Sequence, residues 1–504
     1  MVTTATRPEA PTQRVGLIFG ALLTTMLMSS LGQMIFSTAL PTIVGELGGV
    51  NHMSWVISGF MVTMTIAMPI FGKLGDMVGR KWLYLFGIGT FVVGSTMGGF
   101  AQSMELLVVA RAIQGFGAGG MMVTSQAIVA EVVPARQRGK FMGIMGAMFG
   151  VSSVLGPVLG GWFTDGPGWR WGLWINVPLG LLAFTVSLLA LRLRTGSRDN
   201  LRYDWLGTAL MTVTTASLIL LATWGGTEYE WGDPVILGLI ATTVIGAILF
   251  ILVELKATNP LIPMDLFRNR NMTLTTVSGT VMGLAMMGAL GYLPTYLQMV
   301  HSLTPTDAGL MMIPMMVGMI GTSTSVGFLI ARSGNYKIYP VVGLGVMSGA
   351  LWLMSRLTVE TTLVQLGIIF FLFGFGLGLV MQVLVLIVQN SFPVRVVGTA
   401  TASNNFFRQI GGAVGSSVVG AIFIHRMQDL LAQRMPAGTD FSAGDASTLT
   451  PAILENLPGP IHHVVVGSYN DAFTPVLLML VPLMVAAAII LAFVREDKLK
   501  ETVE

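Results

Sequence analysis

The sequence predicts an all-α integral membrane protein of fourteen transmembrane helices, arranged as two six-helix bundles plus two additional helices. Three observations carry this. Charged residues make up 10% of the 504 positions and hydrophobic residues 53%, whereas a soluble globular chain is about 25% charged. Fourteen runs are long and apolar enough to cross a bilayer, which takes about 20 residues. Short patterns after spans two and four recur after spans ten and twelve.

So little charge cannot coat a soluble surface, which excludes a soluble enzyme, a nucleic-acid binder and a disordered chain. The 62 Gly and 35 Met suit a bundle in lipid. Gly lets helices approach closely, and Met supplies a soft, adaptable apolar surface. There is no Cys, hence no disulfide, thiolate metal site or cysteine nucleophile. No cofactor and no metal are expected.

The first six spans start near Val15, Met53, Trp82, Glu105, Phe141 and Trp171. The seventh and eighth start near Trp205 and Pro234, and the last six near Met272, Ala308, Ile338, Thr362, Ala400 and Phe473. The first run is too long for the core of a cleavable signal peptide. The predicted organisation is a polar tail over 1–14, a six-helix bundle over 15–192 and two inserted helices over 203–256. A second six-helix bundle over 271–494 and a tail over 495–504 follow. With the amino terminus inside, the inner segments hold 21 Lys and Arg and the outer ones 4. That asymmetry predicts cytoplasmic termini and explains the net charge of +3 without an acidic partner. The longest connector, over 426–471, falls outside and carries His462 and His463. It reads as a solvated cap or short amphipathic helix, with a metal or proton site as the alternative.

Gly72, Leu74 and Gly79 recur 255 positions later as Gly327, Leu329 and Gly334. Pro134, Arg136 and Gly139 recur 259 positions later as Pro393, Arg395 and Gly398. Spans one to six therefore match spans nine to fourteen, with seven and eight inserted between them. Two six-helix halves around a shared binding site describe an alternating-access transporter.

Several stretches are similar to motifs of the major facilitator superfamily, in particular its fourteen-helix drug:proton antiporter branch. The loop Gly72 to Lys81 resembles the pattern G-x-L-x-D-x-x-G-R-K. Arg111, Gln114, Gly115 and Gly117 form a second motif in span four. Gly150, Gly156, Pro157, Gly160 and Gly161 resemble the antiporter motif of span five. Trp169-Arg170-Trp171, Asn176-Val-Pro178 and Arg408-Gln409-Ile-Gly411-Gly412 also look like this branch. The resemblance runs from Val15 to Val494. It implies the major facilitator fold, a part for Arg111 in proton coupling, multidrug efflux by antiport, antibiotic resistance and a cell-membrane location.

The residues support physical readings beside it. Gly72 and Gly79 permit a tight turn between helices. Asp76 can face a helix amino terminus, where a carboxylate gains about 0.3–1 kcal/mol. Arg80 and Lys81 can pair with it or with lipid headgroups, so that the loop latches the halves in one state and releases them in the other. Arg111 costs about 2.5–3.5 kcal/mol inside a span and must face the interior. Gln114 shares its helical face. Gly150, Gly156, Pro157 and Gly160 weaken span five and let another helix approach.

The chamber is expected to be apolar with few polar groups. Its candidates are Gln33, Met34, Trp55, Gln114, Gln126, Tyr292, Tyr296, Gln298, Gln382 and Asn405, with Met26, Met64 and Asn404 beside them. Gly32 stands where many members of the branch carry an acid, and no Asp or Glu lies at mid-membrane in any span. Glu131, with Arg111, and Asp76 remain the titratable candidates for proton coupling. A chamber without fixed negative charge leans towards neutral, amphipathic or weakly anionic substrates.

The leading function is thus a proton-coupled exporter of small hydrophobic compounds, acting as a monomer among membrane lipids. A dedicated exporter of one endogenous metabolite, antibiotic or lipid is the narrower version. A membrane enzyme needs clustered His, Asp or Cys at a membrane face, and the five His form no such spacing. A receptor built on a transporter frame wants a sizeable soluble domain. No G-x-x-x-x-G-K-[ST] loop for an ATP-driven pump occurs.

Overall fold

The computed structural model describes residues 15–48, 53–193, 202–226, 228–435, Leu454 and 457–499. The first half comprises α1 (Val15–Leu47), α2 (Met53–Val78), α3 (Arg80–Gly99), α4 (Met104–Val132), α5 (Ala135–Asp165), α6 (Trp171–Trp174) and α7 (Asn176–Ala190). The inserted pair is α8 (Trp205–Trp224) and α9 (Pro234–Glu254). The second half comprises α10 (Arg270–Leu290), α11 (Leu293–His301), α12 (Pro305–Leu310), α13 (Ile313–Ser333), α14 (Ile338–Met354), α15 (Leu363–Ser391), α16 (Val397–Arg434) and α17 (Gly459–Ala492).

Among the described residues, thirteen helical stretches are long and apolar enough to cross a membrane. The fourteenth crossing is α14, whose 17 residues span about 25 Å at 1.5 Å per residue. Local chemistry fixes many of the starts. Ser103 Oγ accepts from Leu106 N at 3.3 Å to cap α4, Asp204 caps α8, and Thr362 and Gln365 form a capping box on α15. Each supplies an acceptor to amides that a helix start leaves unpaired.

The two halves pack by one scheme. In the first, α4 lies against α2 and α3, α5 against α1, and α7 against α1 and α3. In the second, α15 lies against α13 and α14, α16 against α10, and α17 against α10 and α14. Each half has its own apolar core, the second built on residues such as Phe370, Phe373, Leu384 and Phe473, the first on Phe60, Tyr84, Ile88 and Phe91. Between the halves, α5 packs on α13 and α15, and α16 packs on α2 and α4.

The inserted pair is asymmetric. Helix α8 touches α9 but also both α2 and α16. Trp224 stacks near Trp55 of α2 with centroids 4.9 Å apart, and Ser417 Oγ of α16 donates to the Ala222 carbonyl. Helix α9 turns Leu237, Ile245, Ile248 and Leu252 outward, as a lipid-facing helix does.

Both ends of the connector expected over 426–471 are helical. Helix α16 runs on to Arg434, and α17 starts at Gly459, so His462 and His463 lie in the first turns of a helix. The apolar patterning ends before these helices do, while their backbone hydrogen bonding continues. The two extensions are tied together by Arg434 Nη1 and Asp471 Oδ2 at 2.8 Å. Residues 436–453 of that connector, the tail over 1–14 and residues 500–504 lie outside the described residues.

At the end of the first half away from Arg80, Glu46 lies beyond the apolar part of α1, Gly16–Phe36. Arg170 Nη1 donates to Glu46 Oε1 at 2.5 Å, and Trp169 Nε1 to Oε2 at 2.8 Å. Arg170 Nη2 also donates to the Ala101 carbonyl at 2.9 Å. The Trp169-Arg170 pair thus ties α1 to the α3–α4 turn within one half. Hydrogen bonds from Arg170 and Trp169 hold the Glu46 carboxyl below its ordinary range.

Candidate functional site: a central chamber and the clasps at one end

At one end the halves meet closely. Gly72 of α2 sits where a Cβ would overlap Ala402 and press on the Gly398 carbonyl of α16. One turn on, Asp76 reaches the start of α16. Its Oδ1 accepts from Gly398 N at 3.2 Å, and its Oδ2 from Thr399 N at 2.7 Å and Thr399 Oγ1 at 2.8 Å. These amides belong to the first turn of α16 and have no partner inside the helix, and the helix dipole favours an anion there.

Arg80 completes this clasp. Its Nη2 donates to Asp76 Oδ1 at 2.7 Å and to the Val394 carbonyl at 2.5 Å. Its Nη1 donates to Glu131 Oε2 at 2.9 Å and the Ala127 carbonyl at 3.3 Å. Gly79, at φ 113°, makes the turn that brings Arg80 back beneath Asp76, a conformation that favours glycine. Lys81 points away from the clasp and donates to the Leu188 carbonyl at 2.8 Å.

The repeat builds a second clasp beside the first. Gly327 of α13 sits where a Cβ would press on the Gly139 carbonyl of α5, as Gly72 does on Gly398. Here the position matching Asp76 is Ala331. The polar contact runs the other way: Arg136 Nε donates to the Ala331 carbonyl at 3.3 Å, and Nη2 to the Arg332 carbonyl at 3.1 Å. Further along α5, Gly143, Gly146 and Gly150 meet Ser323, Gln382 and Met319 respectively. Ser323 Oγ donates to the Gly143 carbonyl at 2.8 Å. Gly156 packs against Met34 of α1, inside its own half. Gly160 is buried one turn later, and α5 continues through Pro157.

Beyond the clasps, a narrow cavity of about 30 Å³ lies between the halves, the closed form of a chamber that must widen to hold more than water. Met26, Met64 and Met122 line it from the first half, and Met286, Met287 and Met381 from the second. Its polar wall is Ser29, Ser30, Gln33, Gln382, Arg408 and Gln409. Arg408 is the one charged residue among the described lining. Its Nη2 donates to Asn405 Oδ1 at 2.6 Å, and Asn405 Nδ2 donates to Gln126 Oε1 at 2.6 Å. Gln126 belongs to α4, so this chain of hydrogen bonds crosses between the halves. Gln389 Nε2 adds a second crossing bond, to the Gln126 carbonyl at 3.1 Å.

Of the chamber candidates from sequence, Gln33 and Gln382 line this space, as do Met26 and Met64. Gln126 and Asn405 lie one layer behind Arg408. Asn404 faces Thr276 at 3.4 Å. Gln114 is buried within its half: it accepts from Arg111 at 2.5 Å and donates to Ser95 Oγ at 2.7 Å. Tyr292 donates to the Ser416 carbonyl and Tyr296 to Asn470 Oδ1. Gln298 donates back to the Pro294 carbonyl in α11. Trp55 lies against Trp224 of the inserted pair, and Met34 against Gly156.

Arg111 is 1% exposed. It donates to the Gly32 carbonyl at 2.8 Å and the Val56 carbonyl at 3.5 Å. Its guanidinium lies 4.2 Å from the ring centres of both Phe36 and Phe60, so carbonyls and aromatic faces hold its charge. Glu131 pairs with Arg80 rather than Arg111. The two lie 20 residues apart on α4, about 30 Å along a helix axis. The sequence reading missed Met122, Met286, Met287, Met381 and the Ser29–Ser30 pair. A Met carries no signal of whether it faces lipid or a chamber.

A family model of the Major Facilitator Superfamily matches residues 22–416. The chain belongs to this superfamily. This major facilitator protein is 38% identical over 488 residues to an MFS-type transporter of Mycobacterium tuberculosis, an alignment covering 97% of this chain and 70% of the relative. It is 36% identical over 461 residues to the multidrug transporter protein MdtP of Bacillus subtilis, covering 91% and 84%. It is 31% identical over 512 residues to multidrug resistance protein 3 of the same species, covering 99% and 98%. Among solved structures, the human organic anion transporter MFSD10 superimposes with TM-score 0.61 at 15% identity, covering 96% of this chain and all of that one. That likeness concerns the fold. The protein is a multi-pass membrane transporter with multidrug transporters and efflux pumps among its relatives.

Proposed function

We propose that this transporter is a secondary active exporter of small hydrophobic or amphipathic compounds, driven by proton entry and working by alternating access. The observation that carries the proposal is a Met-lined chamber between two equivalent halves, clasped at one end by contacts that cross between them. The excess of Lys and Arg at the clasped end supports a cytoplasmic position for it and for both termini. The structure then corresponds to a state closed towards the cytoplasm. The protein works as a monomer in the cell membrane, since each chain contains both halves.

The clasp supplies a means of coupling. A proton added to Asp76 removes the charge that the start of α16 attracts and turns one carboxylate oxygen from an acceptor into a donor. Hydrogen bonds to charged groups contribute about 1.5–3 kcal/mol each, so protonation opens the cytoplasmic end. Loss of the proton to the cytoplasm, and loading of cargo, restore it. Glu131 shares Arg80 with Asp76, so a proton on either carboxylate shifts Arg80 towards the other. Arg111 braces α1, α2 and α4 as one body.

The test is transport in proteoliposomes with an imposed pH gradient, comparing wild type with Asp76→Asn, Glu131→Gln and Arg111→Ala. The proposal expects the gradient to drive wild-type flux, Asp76→Asn to lose the coupling, and Glu131→Gln to weaken it. Wild-type flux that ignores the gradient refutes antiport. Full coupling in both carboxylate variants refutes the clasp as the proton site.

A further inference from the structure

Among the described residues that line the space between the halves, one is charged, and it is positive. Arg408 is 3% exposed and lines the empty space. It has two hydrogen bonds, to Asn405 Oδ1 at 2.6 Å and to the Met381 carbonyl at 3.5 Å, against five N–H donors on a guanidinium. No carboxylate pairs with it among the described residues. Its position differs from that of Arg111, which is enclosed by two rings and two carbonyls and lies outside the lining.

A second observation lies on the same wall. Gln382 is 3% exposed, and its Oε1 has no hydrogen-bond partner. Amide oxygen and nitrogen are exchangeable in such an assignment, so a half-turn of the group presents an N–H to the same space. Gln33, Gln409 and Ser30 add neutral groups that can donate. A buried cation without a counter-ion is costly, and so is a buried polar group left unpaired. An anionic head group in the chamber relieves both at once. A cationic cargo would add like charge beside Arg408 and find no acid in compensation.

We infer that the cargo this chamber prefers is an amphipathic organic anion. Its charged oxygens sit on the Arg408 guanidinium within reach of Gln382, and its apolar body lies along the six methionines. This rests on the exporter reading above and names its substrate class. A guanidinium suits the two oxygens of a carboxylate, and flexible thioethers accept apolar bodies of varied shape. Because Arg408 also holds Asn405, and Asn405 holds Gln126 of the other half, the cargo's charge is sensed one bond from the contact between the halves.

The test is binding to the purified full-length protein at neutral pH, with three fluorescent probes that share one apolar body. They are dansylaminoundecanoate, its primary amide, and the matching undecyl trimethylammonium. Wild type is expected to bind the carboxylate about tenfold tighter than the amide, and the ammonium most weakly. Arg408→Gln is expected to lose about tenfold for the carboxylate while the amide shifts less than about threefold. The unmoved amide reports an intact fold. Arg408→Lys is expected to keep part of the preference, since it keeps the charge and loses the fork.

Wild type that binds the ammonium as tightly as the carboxylate overturns the inference. So does an Arg408→Gln protein that keeps the wild-type preference. Should Arg408→Gln not fold, the wild-type order of the three probes decides by itself. Flux of the same probes in proteoliposomes separates this inference from the reading beneath it. A protein that moves the ammonium and leaves the carboxylate loses the anion site but remains an exporter. A protein that binds the carboxylate selectively and moves no probe keeps the site and is no exporter.

Discussion

The two clasps at the closed end are built from the same repeat and differ in chemistry. In one, Gly72 lies on the Gly398 carbonyl; in the other, Gly327 lies on the Gly139 carbonyl. All four glycines are anchors of the 255- and 259-residue repeats. Yet one clasp carries Asp76, and the other has Ala331 with an arginine donating to carbonyls. The reason lies in where the receiving helix starts. Helix α16 begins at Val397, so Gly398 and Thr399 N–H are free for a carboxylate. Helix α5 begins at Ala135 after Pro134, and Arg138 N already bonds the Pro134 carbonyl. The matching amides, Gly139 and Lys140, are therefore past the open first turn. Closure is symmetric in shape, but the carboxylate of the first clasp has no counterpart at position 331 of the second.

That contrast can be broken or sharpened by substitution, read as distances between spin labels across the closed end. The chain has no Cys of its own, so introduced label sites have no background. The largest effect is expected for Gly72→Val, which drives side-chain carbons into Ala402 and Gly398. About 3 kcal/mol of overpacking against the closed state shifts the population roughly a hundredfold, and an unchanged distance distribution would refute the close contact. Asp76→Asn comes next, at about 2 kcal/mol or roughly thirtyfold towards open. It should also abolish any pH dependence of the distribution.

Arg136→Ala, in the other clasp, is expected to open the end by about 1 kcal/mol, roughly fivefold, with the pH dependence intact. Ala331→Asp should change closure by less than about threefold, because no open amides await the new carboxylate. Strong closure by that variant would show that the acid alone makes the difference, whatever the helix start. The smallest effect is expected away from the clasps. Glu46 is held below the ordinary carboxylate range by Arg170 and Trp169. Its contribution is complete above that range and is lost as pH falls through the lowered value. The pair is about half exposed on the Glu46 side, so Glu46→Gln should cost no more than about 1 kcal/mol of thermal stability. Since all its partners lie in one half, it should leave the label distances unchanged.

Much of the fold is legible in the sequence because spans and repeat are written in hydropathy and in glycines with steric duties. Gly72, Gly79 and Asp76 could be placed because turn, positive φ and helix start each demand a residue type. The chamber was less legible. Gln33 and Gln382 were read as lining it, but Tyr296 and Gln298 turned inward to partners in their own half. A polar residue in a span must find a partner, and sequence does not say whether that partner is cargo or Asn470. The ends of α16 and α17 were missed because they lie where apolar patterning stops but hydrogen bonding continues.

Helix α8 touches α2 of one half and α16 of the other, with Trp224 on Trp55 and Ala222 on Ser417. These are also the two helices joined through Asp76. The proposed rocking of the halves requires α8 to travel with one and slip past the other. In that proposed cycle it would serve as a draught-strip over the joint, keeping acyl chains out of the crevice, so shaving the contacts of α8 would let lipid leak in without touching the chamber.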